Sequence, residues 1–187
     1  MKEENNKKYN VRIVQLPNKV LRQKSKNVPI PLTAEDIELA EKMIYHIDDS
    51  QKPDTKFQPG VGVAAVQYGT LKRVFYINNE NFKDVLFNPK VIAASEQMAA
   101  LSSGEGCLSV PLHTKDTEGY VKRSNRIVVE AYSYKERKWK TYDVIGYNAI
   151  IMQHELDHLE GKLFLDHIEN DDPWKPLDNK NRKVIIL

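Results

Sequence analysis

The chain carries the pattern H-E-x-x-H at His154, Glu155 and His158, within the stretch QHELDHLEG. On a helix, residues four apart lie about 40° from each other around the axis, so both imidazoles face one side and can share one metal ion. Glu155 falls beside that ion, and a metal with a neighbouring carboxylate base is the known chemistry of this pattern. Two histidines alone hold a catalytic ion poorly, so a third protein ligand is expected, with a fourth position left open for water. The extended pattern that adds a later histidine is kept through Gly161, but Phe164 stands where that histidine would be. Beyond Glu160 the next glutamate is Glu169, close to the helix end, which leaves Asp166 and His167 as lesser candidates. Cys107, in GEGCLSVP, is the better one: a thiolate is a strong ligand, and the flanking Gly106 lets the backbone approach an ion closely. Cys107 is the only cysteine, so a closed four-ligand structural zinc site is hard to build and an open, chemically active site is expected.

These residues need elements to position them. Asn148 is placed to open a helix, NAIIMQHELDHLE, with Gly161 where glycine often ends one. An earlier helix is predicted over LTAEDIELAEKMIYHIDD, where Ile37, Ala40, Met43, Ile44 and Ile47 form an apolar stripe. Thr33 is its expected N-cap, with Asp36 three residues on. VRIVQL, RVFYIN, DVLFN, KVIAA, RIVVEAYSY and KWKTYDVIG read as strands, the last two joined by a hairpin turning around Lys135 to Lys138. The tail KVIIL is a better strand than helix, and DDSQKPDTKFQPG is polar enough to be an exposed loop. The fold class expected is α+β, with antiparallel strands packed around a central metal-binding helix and a strand-like C-terminus.

The 187 residues fit one domain, 1–187, whose first ten residues are polar and read as a mobile segment. Lysine and arginine number 28 against 26 acidic residues, a net charge of +2 that argues for neither a specific nucleic acid nor an anionic membrane as partner. The absence of a long apolar run or a signal-peptide pattern points to a cytoplasmic protein. GVGVAAVQYG, residues 60–69, superficially matches a dinucleotide fingerprint through Gly60, Gly62 and Ala65. It follows a proline-containing polar loop instead of a strand, so the nucleotide reading is rejected in favour of a tightly packed strand of small residues.

Three segments in order, GVGVAAVQ, EGCLSVP and QHELDHLEG, resemble the three motifs of the peptide deformylase family, and LPNKVLRQKSKNV resembles its N-terminal segment. The resemblance runs from about Val11 to His167. One departure is Val66, where the family commonly has proline, and it bears on local rigidity alone. The loop before Gly60 and the KVIIL tail resemble the second bacterial type of that family.

The resemblance implies an enzyme that removes the formyl group from the N-terminal formylmethionine of newly made polypeptides, releasing formate. Cys107, His154 and His158 would hold one divalent metal, Fe(II) as the working ion with zinc, nickel or cobalt as replacements. Such an ion lowers the pKa of water from about 15.7 to roughly 7. Glu155 would take the water proton and deliver it to the leaving amine. The Gln67 side-chain amide and the Leu108 backbone N–H would stabilise the oxyanion. Ile150, Ile151, Gly60, Val61 and Glu105 would line the methionine slot, while most of the helix's apolar stripe is core. Val61 and Gly62 could pair their backbone with the substrate as an added strand, and Asp157 has an outer or ion-pair role. A transient contact with the ribosome follows from the substrate. Two rival readings are a metalloendopeptidase using His154, His158 and Asp166 or His167, and a non-catalytic metal-stabilised module acting at the ribosome.

Overall fold

The computed structural model describes residues 9–111, 117–177 and 184–187, so most of the expected mobile N-terminal segment lies outside the described residues. Ten regular elements are α1 (Ala34–Ser50), β1 (Gly62–Ala64), β2 (Val74–Asn79), β3 (Phe82–Ala94), β4 (Met98–Ala100), β5 (Arg123–Ser124), β6 (Arg126–Ser133), β7 (Lys138–Ile145), α2 (Tyr147–Leu159) and β8 (Val184–Ile186). A five-stranded antiparallel sheet runs β1-β2-β3-β6-β7, and a three-stranded sheet runs β5-β4-β8. The fold is α+β as expected, with one pair, β4 with β8, that is parallel.

The large sheet is buried on both faces along β2 and the first half of β3, while β7 and the second half of β3 are largely exposed. Along β2, Phe75 and Ile77 join Ala149, Ile151, Met152 and Leu159 of α2 in one core, while Val74 and Tyr76 join Ala40, Met43 and Ile47 of α1 in another. Strand alternation sends successive side chains to opposite faces, so a continuous apolar run is what a strand between two helices requires. On its other side α2 meets β5, where Gln153 Nε2 donates to Ser124 O (2.8 Å) and Ser124 N–H donates to Gln153 Oε1 (3.1 Å). The H-E-x-x-H segment therefore sits on a helix held between two sheets.

The Thr33 cap is formed in full: its hydroxyl accepts from Asp36 N–H, and the Asp36 carboxylate accepts from Thr33 N–H at 2.9 Å. Elsewhere the local reading needs correction. DVLFN and KVIAA belong to the single strand β3, whose register shifts at Asn88 and Pro89. Asn88 has a positive φ of 51° and clamps the Val28 backbone through both amide atoms, while Pro89 has no N–H to donate. VRIVQL is not part of either sheet; Val14 N–H bonds to Gln67 O and Leu16 N–H to Ser109 O, so its partners are turns. Helix α2 begins at Tyr147, after Gly146, which takes the positive φ of the turn. Asn148 does not cap it, because its side-chain oxygen accepts from Asn79 Nδ2 at 2.8 Å.

Gly161 ends the α2 region at φ +71°, and a Cβ there would lie 2.6 Å from Arg22 O. Both the left-handed backbone and the backbone contact oppose any side chain. We expect Gly161→Ala to lower the unfolding free energy by about 1–3 kcal/mol in urea titrations. Wild-type stability would contradict this packing.

Candidate metal centre and active site

Three elements bring the site together. The first is α2, which carries His154, Glu155 and His158 on its buried side. The second is the loop after β4, which carries Glu105 and Cys107, and the third is the 3₁₀ turn Ala65–Tyr68 after β1, which carries Gln67. One ligand atom each from Cys107, His154 and His158 lies within 4.8 Å of the others, the group among the described residues that could hold an ion. Cys107 Sγ is 3.3 Å from His158 Nε2.

His154 Nδ1 bonds to Glu105 Oε2 at 2.8 Å, which fixes the ring and leaves Nε2 available to an ion. The donor set fits a metal: a soft thiolate and two imidazoles fill three positions of a tetrahedral site and leave one open. Electrostatics agrees. Burial pushes the His154 imidazole down, yet its bonds to Cys107 and Glu105 outweigh burial and hold it well above the usual histidine range. Buried His158 is pushed well down, first by burial and then by His154, so it stays the neutral imidazole a metal requires.

The expected wall residue Glu105 lines the cavity and also serves the ion-pair network behind it. Its carboxylate is buried and bidentate to Arg123, with Nε to Oε1 at 2.7 Å and Nη2 to Oε2 at 2.9 Å. Burial raises its pKa, but the bonds from Arg123 and His154 prevail and keep it below the ordinary carboxylate range. Arg123 Nη1 also reaches Asp157 Oδ2 at 2.6 Å, and His167 Nε2 lies 2.8 Å from the same oxygen. The outer ion-pair role expected of Asp157 is thus occupied, and burial is overcome there too, its pKa falling to about 2 through His167 and Arg123. Arg123 escaped sequence reasoning because nothing in KRSNRIVV distinguishes it from a surface arginine.

The lesser ligand candidates are committed elsewhere. His167 faces Asp157, and Asp166 accepts from Leu163 N–H and Arg22 Nη1. Phe164 stacks on the His154 ring, with centroids 5.8 Å apart and planes at 21°.

Glu155 is 4% exposed, and its Oε2 has no hydrogen-bond partner among the described residues. Burial pushes its carboxyl up to about 7. Its other oxygen lies against Gly62, where a Cβ would fall 2.5 Å from Oε1, so the glycine in GVGV is what lets strand and carboxylate meet. A cavity of about 850 Å³ opens above these groups, lined by Gly60, Val61, Gly62, Gln67, Glu105, Cys107, Leu108, Ile150, Ile151, His154 and Glu155. Leu101 and Tyr147 also line it and were not anticipated. Val61 O already accepts from Asn78 N–H at 2.8 Å, so that carbonyl is committed within the protein, while β1 remains an edge strand of its sheet.

A family model described as polypeptide deformylase matches residues 10–174. The peptide deformylase of Mycoplasmopsis pulmonis is 54% identical, with 95% of this chain and 98% of that protein covered. That of Lacticaseibacillus casei is 42% identical, covering 83% and 88%. Among solved structures, a peptide deformylase from Ehrlichia chaffeensis in complex with actinonin is 29% identical with a TM-score of 0.71, covering 86% of this chain and 90% of that one. A probable peptide deformylase from Synechococcus phage S-SSM7 is 34% identical with a TM-score of 0.70, covering 85% and 100%. A match to the family model across most of its length, joined to relatives this similar over nearly their whole length, means that the chain belongs to the polypeptide deformylase family.

Proposed function

We propose that the protein hydrolyses the formyl group from the N-terminal formylmethionine of newly made polypeptides, giving formate and a free amine. The observation that carries this reading is the Cys107–His154–His158 group beside Glu155, whose Oε2 has no hydrogen-bond partner among the described residues, with Cys107, His154 and Glu155 lining an open cavity. Those three residues would hold one divalent ion, Fe(II) in the cell, with zinc, nickel or cobalt able to replace it. Bound there, the ion supplies Lewis acidity to water and to the formyl oxygen.

The chain's own groups do the rest. Glu155 accepts the proton of the attacking water at its free oxygen and hands it to the amine nitrogen as the C–N bond breaks; a carboxyl near neutrality suits both halves of that transfer. The Gln67 amide and the Leu108 N–H donate to the oxyanion that forms on the attacked carbonyl. The edge of β1 at Gly62 pairs with the substrate backbone, which tolerates varied sequence after the methionine. Ile150 and Ile151 offer the apolar wall for the methionine side chain.

A single catalytic domain of the second bacterial type, working in the cytoplasm with a passing contact to the ribosome, completes the reading. No helix among the described residues is long and apolar enough to cross a membrane, and the net charge of +2 calls for no nucleic-acid partner. Formate release from a formyl-Met peptide, beside an unformylated control, tests the reading. Cleavage of internal peptide bonds instead would revive the endopeptidase alternative.

Two consequences follow from the assigned roles. Formyl-Met peptides should be preferred over formyl-Ala peptides by about 1–3 kcal/mol in transition-state binding, because a methyl leaves the apolar slot unfilled. Equal specificity constants would remove Ile150 and Ile151 from the pocket. Glu155→Gln should keep metal and fold while lowering turnover by about 10²–10⁴-fold, read as metal content and formate release on one preparation. Near-wild-type activity with metal retained would show that Glu155 is not the base.

A further inference from the structure

Gln67 is asked to donate a hydrogen bond from a side chain with three rotatable bonds and an amide that can present oxygen or nitrogen. A flexible donor contributes little, since stabilisation of a developing charge depends on donors already in place. What holds this amide is visible in the structure. Its Oε1 accepts from Ala64 N–H at 2.9 Å, which commits the oxygen and turns Nε2 towards the loop after β4. There Nε2 donates to Ser109 Oγ at 3.1 Å and to Cys107 Sγ at 3.6 Å. One amide hydrogen is thus taken by Ser109, leaving the second on the Cys107 side, where Gln67 lines the cavity.

Ser109 is fully buried and is not among the residues lining the cavity, so its hydroxyl reaches the reaction only through Gln67. Its own backbone is pinned, with Ser109 N–H directed at Cys107 Sγ at 3.4 Å and Ser109 O accepting from Leu16 N–H at 2.9 Å. Two residues earlier, Val14 N–H donates to Gln67 O at 2.8 Å. The segment Val14–Leu16 therefore ties the turn that carries Gln67 to the loop that carries Leu108 and Ser109.

We propose that Ser109 is a positioning residue for the hydrolysis: its hydroxyl, on a backbone strapped by Val14–Leu16, holds one N–H of the Gln67 amide so that the other, on the Cys107 side, can be handed to the oxyanion. The proposal rests on the deformylase reading and adds a residue to its machinery. It is tested by a double-mutant cycle of Ser109→Ala and Gln67→Ala in the metal-loaded enzyme, with kcat, KM, metal content and thermal midpoint measured for each. Losing an oxyanion donor outright costs about 10²–10³-fold in kcat, and loosening one should cost about tenfold or more within that ceiling. The expected result is a fall in kcat for Ser109→Ala with KM and metal content unchanged, and no further fall when Ser109→Ala is added to Gln67→Ala. The same loss in both backgrounds, or wild-type kcat in Ser109→Ala, would overturn it. Failure of the wild type to release formate would instead sink the functional reading. In that event the Gln67 side-chain amide protons, followed by NMR, still decide the positioning: unchanged shifts and exchange in Ser109→Ala overturn it, while faster exchange and averaging of the pair support it.

Discussion

The structure depends on the convergence of one thiolate from a loop with two imidazoles from a buried helix. Cys107 and His158 are 51 residues apart, yet Sγ and Nε2 lie 3.3 Å from each other. Such polar groups are costly to bury unless they are satisfied. Glu105 satisfies His154 Nδ1, whereas His158 Nδ1 has no hydrogen-bond partner among the described residues. The α2 helix is packed against the large sheet through Ala149, Ile151, Met152 and Leu159 and tied to β5 through Gln153. Its two histidines consequently have little freedom to turn away.

Beneath the site runs a buried ionic network in which Arg123 bridges Glu105 and Asp157, and Glu105 holds His154. Burying such charges gains little stability by itself, because desolvation offsets most of the attraction. The geometry gives the network another use: it sets which ring nitrogen of His154 faces the thiolate. On the opposite side, Ala64, Ser109 and Cys107 surround the Gln67 amide. Ligand direction and donor direction are thus governed by two separate sets of contacts meeting at Cys107.

The sequence makes the helix-borne half of this site legible, because His154 and His158 are related by helical period alone. Cys107 is preferred over Asp166 and His167 because a thiolate is a strong ligand and Gly106 beside it permits a close backbone approach. Long-range pairing was not legible: Arg123 is 18 residues from Glu105 and 34 from Asp157, and no local pattern marks it. Glu105 lines the pocket as expected, but the pairing of its carboxylate with Arg123 and His154 was not legible. VRIVQL has strand-like alternation but spends its hydrogen bonds on turns at Gln67 and Ser109, a choice made by tertiary contacts. Asn148 has the chemistry of a cap, yet Asn79 engages its oxygen and Gly146 makes the turn.

One sulfur and two imidazoles are the ligands proposed for the ion. X-ray absorption at the metal edge of the zinc-loaded protein reads that shell directly. A Cys107–His154–His158 site gives one sulfur at about 2.3 Å and two imidazole nitrogens at about 2.0–2.1 Å, with a light-atom ligand completing four. A shell of nitrogen and oxygen alone, with no sulfur scatterer, would contradict it and return the third ligand to Asp166 or His167.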